Sequence, residues 1–317
     1  MRKLRFLPVL AVLCVAAHAG GARGRFAALR AKMQPTRTVV FKQVKGVSLR
    51  LFILEPEGHK PTERRPAIVF FFGGGWVGGN PAQFFPQCKY LASRGMVAIS
   101  AEYRVKSRHG VTPFECVADG KSAIRWVRAN AAKLGIDPAR IAAGGGSAGG
   151  HVAACTGVVP DQDDPADDKT VSSRPNAMVL FNPALFLDLE AWRRAGVPND
   201  KIENLRKRFG GRDPREISPF HHIRPGLPPT IIFHGENDAV VPIATIRRYV
   251  EAARKAGNRC ELVAFPGQGH GFFNFGRGDA FAKTLERADR FLASLGWLQG
   301  PPTVEQFLES LRAETRR

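Results

Sequence analysis

Long apolar runs, cysteines and acidic side chains are all in short supply in this 317-residue chain. The leading apolar stretch, Phe6 to Ala17, falls short of the ~20 residues a helix needs to span a bilayer, so no integral membrane segment is predicted. Five cysteines are too few for a dense disulfide framework, and no residues have the spacing of a zinc site, so no metal is called for. Asp and Glu number 28 against 47 Lys and Arg, a formal net charge of +19. That excess is scattered. No basic block follows Arg2–Arg5, and no stripe interleaves basic with aromatic residues, which argues against nucleic acid as a partner. The charge reads as a solvated basic surface. There is no internal repeat. What the chain does have is 44% hydrophobic residues, 22 of them Phe, and a length that suits one α/β domain with an insertion.

The N-terminus has the three parts of an export signal: Arg2, Lys3 and Arg5, then the apolar run, then Ala17-His18-Ala19. A signal peptide over residues 1–19 and a secreted or periplasmic protein are therefore predicted. Cys14 would leave with it. Cys88, Cys116, Cys155 and Cys260 remain, their pairing open, with Cys155 expected as a small buried hydrophobe.

Beyond the leader, period-2 alternation of Val47, Leu49, Leu51 and Ile53 predicts a half-buried strand, paired through a Lys45-Gly46 turn with Thr38–Val44. An unbroken apolar run follows at Pro66–Phe72, and strand-like segments at Met96–Ser100, Arg140–Ala143, Ala177–Phe181, Thr230–Phe233 and Glu261–Phe265. Such runs suit strands covered on both faces. Helical patterns lie between them, near Phe84–Ser93, from Pro113, from about Ser147, at Ile243–Ala256 and at Phe281–Leu295. This alternation predicts an α/β fold with a mostly parallel central sheet and helices on both faces. The domain is placed at 38–296. A lid-like insertion at about 182–229 breaks the rhythm, with helical stretches near Leu187–Arg194 and Ile202–Phe209, and a C-terminal tail at 297–317 reads as a separate short helix.

Chemistry concentrates in three loops. Gly145, Ser147 and Gly149 match the nucleophile-elbow pattern, with a strand before and a small-residue helix after. The turn forces Ser147 into a strained backbone geometry, which its glycine neighbours tolerate, and sets its hydroxyl at a helix N-terminus. Gly144, Gly146 and Gly149 also have dinucleotide-fingerprint spacing, with acidic residues following at Asp161–Asp168, but that fingerprint normally follows the first strand of its domain. The strands ending at Phe233 and Phe265 each run into a loop, one bearing Asp238 and the other His270 between glycines. The order Ser, Asp, His is that of a hydrolase triad, in which imidazole takes the serine proton and the carboxylate orients it. Glu236 is the competing acid. His151, His221, His222 and His234 are poorer candidates for the base. An oxyanion hole is expected from the N–H groups of Ala148 and of Gly74 and Gly75, in the loop Phe72-Gly73-Gly74-Gly75-Trp76, with Trp76 shaping the substrate pocket.

On the Gly-Gly-Gly-Trp loop, Ala101-Glu102-Tyr103-Arg104, the Ser147 elbow and the Asp238 and His270 loops, the chain resembles the acetyl esterase/lipase group of α/β hydrolases. This group is related to hormone-sensitive-lipase-like esterases and to bacterial feruloyl and acetylxylan esterases. The resemblance covers roughly Thr38 to Leu295. It implies a serine carboxylesterase without cofactor, acting on a small ester or an acylated polysaccharide carrying acetyl or feruloyl groups. Relatives often have His where Phe72 stands, thought to brace the oxyanion loop; Tyr103-Arg104 is read as a buried, hydrogen-bonding structural pair. Two other readings compete: a prolyl-oligopeptidase-like serine peptidase, which usually needs a propeller that the roughly forty residues before the core strand do not supply, and a hydrolase-fold binding protein without catalysis.

Overall fold

The computed structural model describes residue 29, residues 33–194 and residues 196–314; the predicted signal peptide lies outside the described residues. Eight strands form one sheet: β1 (Arg37–Val44), β2 (Val47–Leu54), β3 (Arg65–Phe71), β4 (Val97–Ala101), β5 (Ile136–Gly146), β6 (Ala177–Phe181), β7 (Thr230–Gly235) and β8 (Cys260–Phe265). Their order is β1-β2-β4-β3-β5-β6-β7-β8. The β1–β2 and β2–β4 pairs are antiparallel and every other pair is parallel. The structure is an α/β-hydrolase fold.

The unbroken apolar run is explained by two cores, one on each face of the sheet. In β3, Ala67, Val69 and Phe71 enter one core while Ile68 and Phe70 enter the other. Full burial of a side chain of this size contributes about 1.5–3 kcal/mol. The helix Pro113–Ala129 covers the first face with Val117, Ile124 and Val127, and it starts on a Thr112/Glu115 capping box. The helix Ala280–Ser294 covers the second face with Phe281, Leu285 and Phe291.

Strand β5 is longer than the short run predicted. It begins at Ile136, and its register against β3 jumps from Arg65↔Ile136 to Ala67↔Ile141, so Asp137-Pro138 is an excursion within a strand. It also continues through Gly144-Gly145-Gly146, read from sequence as a turn, because these glycines pair with β3 and β6. A Cβ on Gly144 would lie 2.5 Å from the Phe70 ring.

The insertion carries helices Leu189–Arg194 and Asn199–Arg208 and two short 3₁₀ turns, Pro214–Ile217 and Pro219–His222. Its Phe209 is fully buried and tilts over Trp76, with ring centroids 5.8 Å apart, so the segment is packed against the glycine loop after β3. The C-terminal segment forms the short helix expected of it, packed onto the domain rather than standing apart. Its helix Val304–Glu314 buries Val304, Phe307 and Leu311 in the second core, and Arg94 joins Asp289 to the Gln299 carbonyl. Cys88, Cys116, Cys155 and Cys260 are all buried and unpaired with one another.

Candidate active site

Ser147, Asp238 and His270 stand just past the ends of β5, β7 and β8, which are parallel, so all three reach the same edge of the sheet. Ser147 adopts φ 54° and ψ −120°, the strained elbow geometry. Crowding enforces it: a Cβ on Gly145 would lie 2.4 Å from the Gly149 carbonyl oxygen, and one on Gly149 2.1 Å from that of Phe71. The serine N–H is tied to the Phe181 carbonyl at 2.9 Å.

The three side chains form a hydrogen-bonded row. His270 Nδ1 lies 2.8 Å from Asp238 Oδ2, and its Nε2 lies 2.9 Å from Ser147 Oγ. With Asp238 charged, the imidazole proton sits on Nδ1 and donates to the carboxylate, leaving Nε2 to accept from the hydroxyl. Asp238 Oδ1 accepts from the N–H groups of Val240 at 2.9 Å and Val241 at 2.8 Å. Burial works to raise the Asp238 pKa, but the His270 hydrogen bond and those two N–H donors outweigh it and hold it below the ordinary carboxylate value. The acid and base loops are stitched together by backbone, with Asn237 N–H donating to the Gln268 carbonyl at 2.9 Å.

The competing residues lie elsewhere. Glu236 faces solvent and pairs with Arg247 at 2.9 Å. His234 is buried behind the acid with Nε2 on the Val241 carbonyl at 2.8 Å, and desolvation lowers its pKa. His221 approaches Asp188 at 3.4 Å, and His222 bonds to backbone carbonyls of the insertion. The acidic run after the glycines serves no ribose: Asp164 pairs with Lys42 at 2.6 Å, and Asp163 and Asp167 pair with Arg125 at 2.8 and 2.9 Å. Strand β5 moreover sits mid-sheet as the fifth strand of the chain.

Gly74 and Gly75 take φ values of +133° and +62°, open to glycine and strained for other residues. Neither N–H is hydrogen-bonded among the described residues, so both are free to face a substrate oxygen. The loop lies against the elbow: a Cβ on Gly73 would be 3.4 Å from Ser147 Cβ. Ala148 opens the helix Ala148–Val158, where the first N–H groups have no intrahelical partner. Trp76 does not stand open in a cleft; it is 7% exposed, and its indole N–H donates to His151 Nδ1 at 3.2 Å. A cavity of about 800 Å³ bounded by Glu55, His59, Arg65 and Lys89 includes none of these residues.

Phe72 stacks on Tyr103 with centroids 4.3 Å apart, and the Tyr103 hydroxyl donates to the Phe72 carbonyl at 2.6 Å. Arg104 makes a two-pronged pair with Asp119 at 2.8 and 2.9 Å, so both residues of the Tyr103-Arg104 element are buried and bonded, each to its own partner.

Three residues around the site escaped the sequence reading, and a fourth, His151, entered it only as a poorer candidate for the base. His151 is fully buried on the elbow helix, and its Nε2 donates to the Ile217 carbonyl at 2.7 Å. Desolvation, partly offset by that bond, brings its pKa down to about 4. Asn182, buried at the end of β6 with φ 33°, has Nδ2 3.3 Å from His270 Nδ1 and accepts from Gly271 N–H at 3.3 Å. Gln83 and Asn274 connect the oxyanion and histidine loops. The one sequence signal available for Asn182 was its place directly after a strand neighbouring β5.

Several proteins similar to this chain are named esterases. The BD-FAE family profile matches residues 52–251, and the dienelactone hydrolase family profile matches residues 214–299. Esterase 2 of Thermogutta terrifontis, solved with propionate bound, is 58% identical over 85% of this chain and 97% of that one, with a TM-score of 0.79. Esterase LipC of Mycobacterium tuberculosis is 31% identical over 67% of this chain and 54% of its own length. An acetylxylan esterase of Xylanibacter ruminicola is 28% identical over 76% of this chain and 46% of its own. The chain thus spans about half the length of these curated relatives and nearly all of the Thermogutta enzyme.

Proposed function

The chain belongs to the BD-FAE family of α/β hydrolases, and from that premise we propose that it is a serine carboxylesterase acting on short acyl esters. The observation that carries this reading is the row from Asp238 through His270 to Ser147 at 2.8 and 2.9 Å. Ser147 Oγ attacks the ester carbonyl carbon while His270 Nε2 takes its proton. The oxyanion receives hydrogen bonds from N–H groups of Gly74, Gly75 and Ala148. Collapse breaks the bond to the alcohol oxygen, to which His270 returns the proton, leaving an acyl group on Ser147. Water, deprotonated by His270, then attacks the acyl carbon; the acid departs and Ser147 regains its proton.

Short acyl groups are favoured because Thermogutta terrifontis esterase 2 has been solved with propionate and with butyrate. The same enzyme is phosphorylated by paraoxon, a reagent class that reacts with activated hydroxyls. The acetylxylan esterase among the relatives supports acetylated polysaccharide as one source of such esters. The leader-like segment supports a secreted or periplasmic location, to be read from the mature N-terminus of protein recovered outside the cytoplasm.

The test is hydrolysis of p-nitrophenyl acetate and butyrate, with acetylated xylan and methyl ferulate alongside, by wild type and Ser147→Ala. Turnover should fall by about 10⁴-fold or more in the variant, and a fluorophosphonate probe should label Ser147 in the wild type alone. Turnover that survives Ser147→Ala refutes the assignment.

A further inference from the structure

The loop after β3 and the loop after β8 are 191 residues apart at their point of contact, yet two side-chain amides join them. Gly73 N–H donates to Gln83 Oε1 at 2.7 Å. Gln83 Nε2 donates to Asn274 Oδ1 at 2.9 Å, and Asn274 Nδ2 donates to the Gly271 carbonyl at 2.8 Å. Gly271 N–H in turn donates to Asn182 Oδ1, whose amide nitrogen lies against the His270 ring.

The direction of this row is fixed from both ends. A backbone N–H can only donate and a backbone carbonyl can only accept. Gly73 therefore forces Gln83 to present its oxygen, and Gly271 forces Asn274 to present its nitrogen. The remaining faces of the two amides, nitrogen on Gln83 and oxygen on Asn274, match. No flip of either amide preserves all three bonds, so the pair holds one arrangement.

We propose that Gln83 and Asn274 are positioning residues that set the oxyanion loop and the histidine loop in register with one another. This rests on the esterase reading above. The two groups must meet one reacting carbonyl from opposite sides: N–H donors at its oxygen, and His270 serving the attacking Ser147. An error of ~1 Å between them can cost about 10²-fold in rate. Glycines 73 to 75 lack side chains to hold themselves, and Phe72 offers no polar group to the loop. Gln83 supplies the tie at Gly73, and Asn274 carries it to the base.

The experiment compares wild type with Gln83→Met, Asn274→Leu, the double variant and Gln83→Glu. Each single variant should lose about tenfold in kcat for p-nitrophenyl butyrate with KM within about twofold. The double variant should lose little more than either single, because one broken link opens the whole row. Gln83→Glu is the sharpest arm. As a carboxylate, at an assay pH well above its titration, it keeps an acceptor for Gly73 but cannot donate to Asn274, so it should fall with the others; wild-type kcat in Gln83→Glu there overturns the relay and leaves a local brace. Singles whose losses multiply in the double variant overturn it as well, as do kcat losses that follow Tm alone. Amide exchange at Gly73, followed by NMR, needs no turnover. It should accelerate at least about tenfold in Asn274→Leu, which does not touch Gly73, and unchanged exchange there overturns the proposal even if the protein hydrolyses no ester. Inactive wild type with accelerated exchange instead removes the esterase reading and keeps the relay.

Discussion

The elbow at Ser147 and the glycine loop at Gly73–Gly75 are two turns that meet at one point, and they are held to different degrees by crowding and by side chains. The elbow is held by crowding. Backbone oxygens of Phe71, Phe72 and Gly149 occupy every place where a Cβ of Gly145 or Gly149 would go. The glycine loop is crowded at Gly74, where a Cβ would lie 2.4 Å from the Gly78 carbonyl oxygen, but it has room around Gly75, where the nearest neighbour, Arg208, would be at 3.8 Å. Side chains from outside complete its support: Tyr103 on the Phe72 carbonyl, Gln83 on Gly73, and His151 on the Trp76 indole. A turn fixed by sterics is nearly all-or-none, whereas one fixed by several hydrogen bonds loosens in steps.

Gly149→Ala should break the elbow outright. Its methyl meets backbone oxygens of Phe71 and Phe72 at 2.1 and 2.3 Å, atoms that move only if β3 moves. The expected cost is about 3 kcal/mol, with turnover lost, read by urea denaturation and p-nitrophenyl ester assay. Stable, active Gly149→Ala would end the claim that crowding holds this turn.

Acid should separate the two turns more gently. The folded-state pKa of His151 is about 4, below the ordinary value of ~6.5. Between these values the unfolded chain binds a proton that the folded protein refuses. The stability owed to neutral His151 is therefore complete above ~pH 6.5 and is lost as pH falls toward about 4, roughly 2–3 kcal/mol by pH 4.5. Protonation also takes away the acceptor for Trp76, so the glycine loop is affected through its brace while the elbow glycines keep their packing. Urea midpoints from pH 7 to 4.5 should fall in wild type and flatten in His151→Gln; equal slopes would show that His151 contributes nothing to the pH dependence.

Tyr103→Phe should produce the smallest effect. It keeps the ring stacked on Phe72 and deletes one hydrogen bond to a buried carbonyl, worth about 1 kcal/mol. A modest fall in Tm with a few-fold fall in kcat fits a loop held by several ties. Loss on the scale of Gly149→Ala would mean that this tie alone carries the loop.

The same contrast explains what was legible in the sequence. The elbow could be read because steric demands leave glycines at fixed spacing around Ser147, and the strands because two-sided burial leaves apolar, strand-like segments. Asp238 and His270 could be placed because each directly follows such a segment. Gln83, Asn274 and Asn182 could not, nor could the role of His151 as a brace. Each is an ordinary polar residue whose role depends on a partner far along the chain. Asp137-Pro138 and the three glycines concealed the true length of β5, since excursions and crowded strands use the same residues as turns. The docking of the helix Val304–Glu314 was missed because its apolar residues, Val304, Phe307 and Leu311, needed a partner face that only the folded second core provides.

The four sequestered thiols give the molecule a built-in gauge of its own opening. Burial alone pushes Cys88 far above the ordinary thiol value, and burial, opposed by Arg254 and aided by Glu261, brings Cys260 up to about 12. Cys116 and Cys155 are raised by burial too. All are inert toward alkylating reagents while the chain is closed. They are distributed over both cores, Cys116, Cys155 and Cys260 on one face of the sheet and Cys88 on the other. The order in which they become alkylated therefore records which half of the molecule comes apart first.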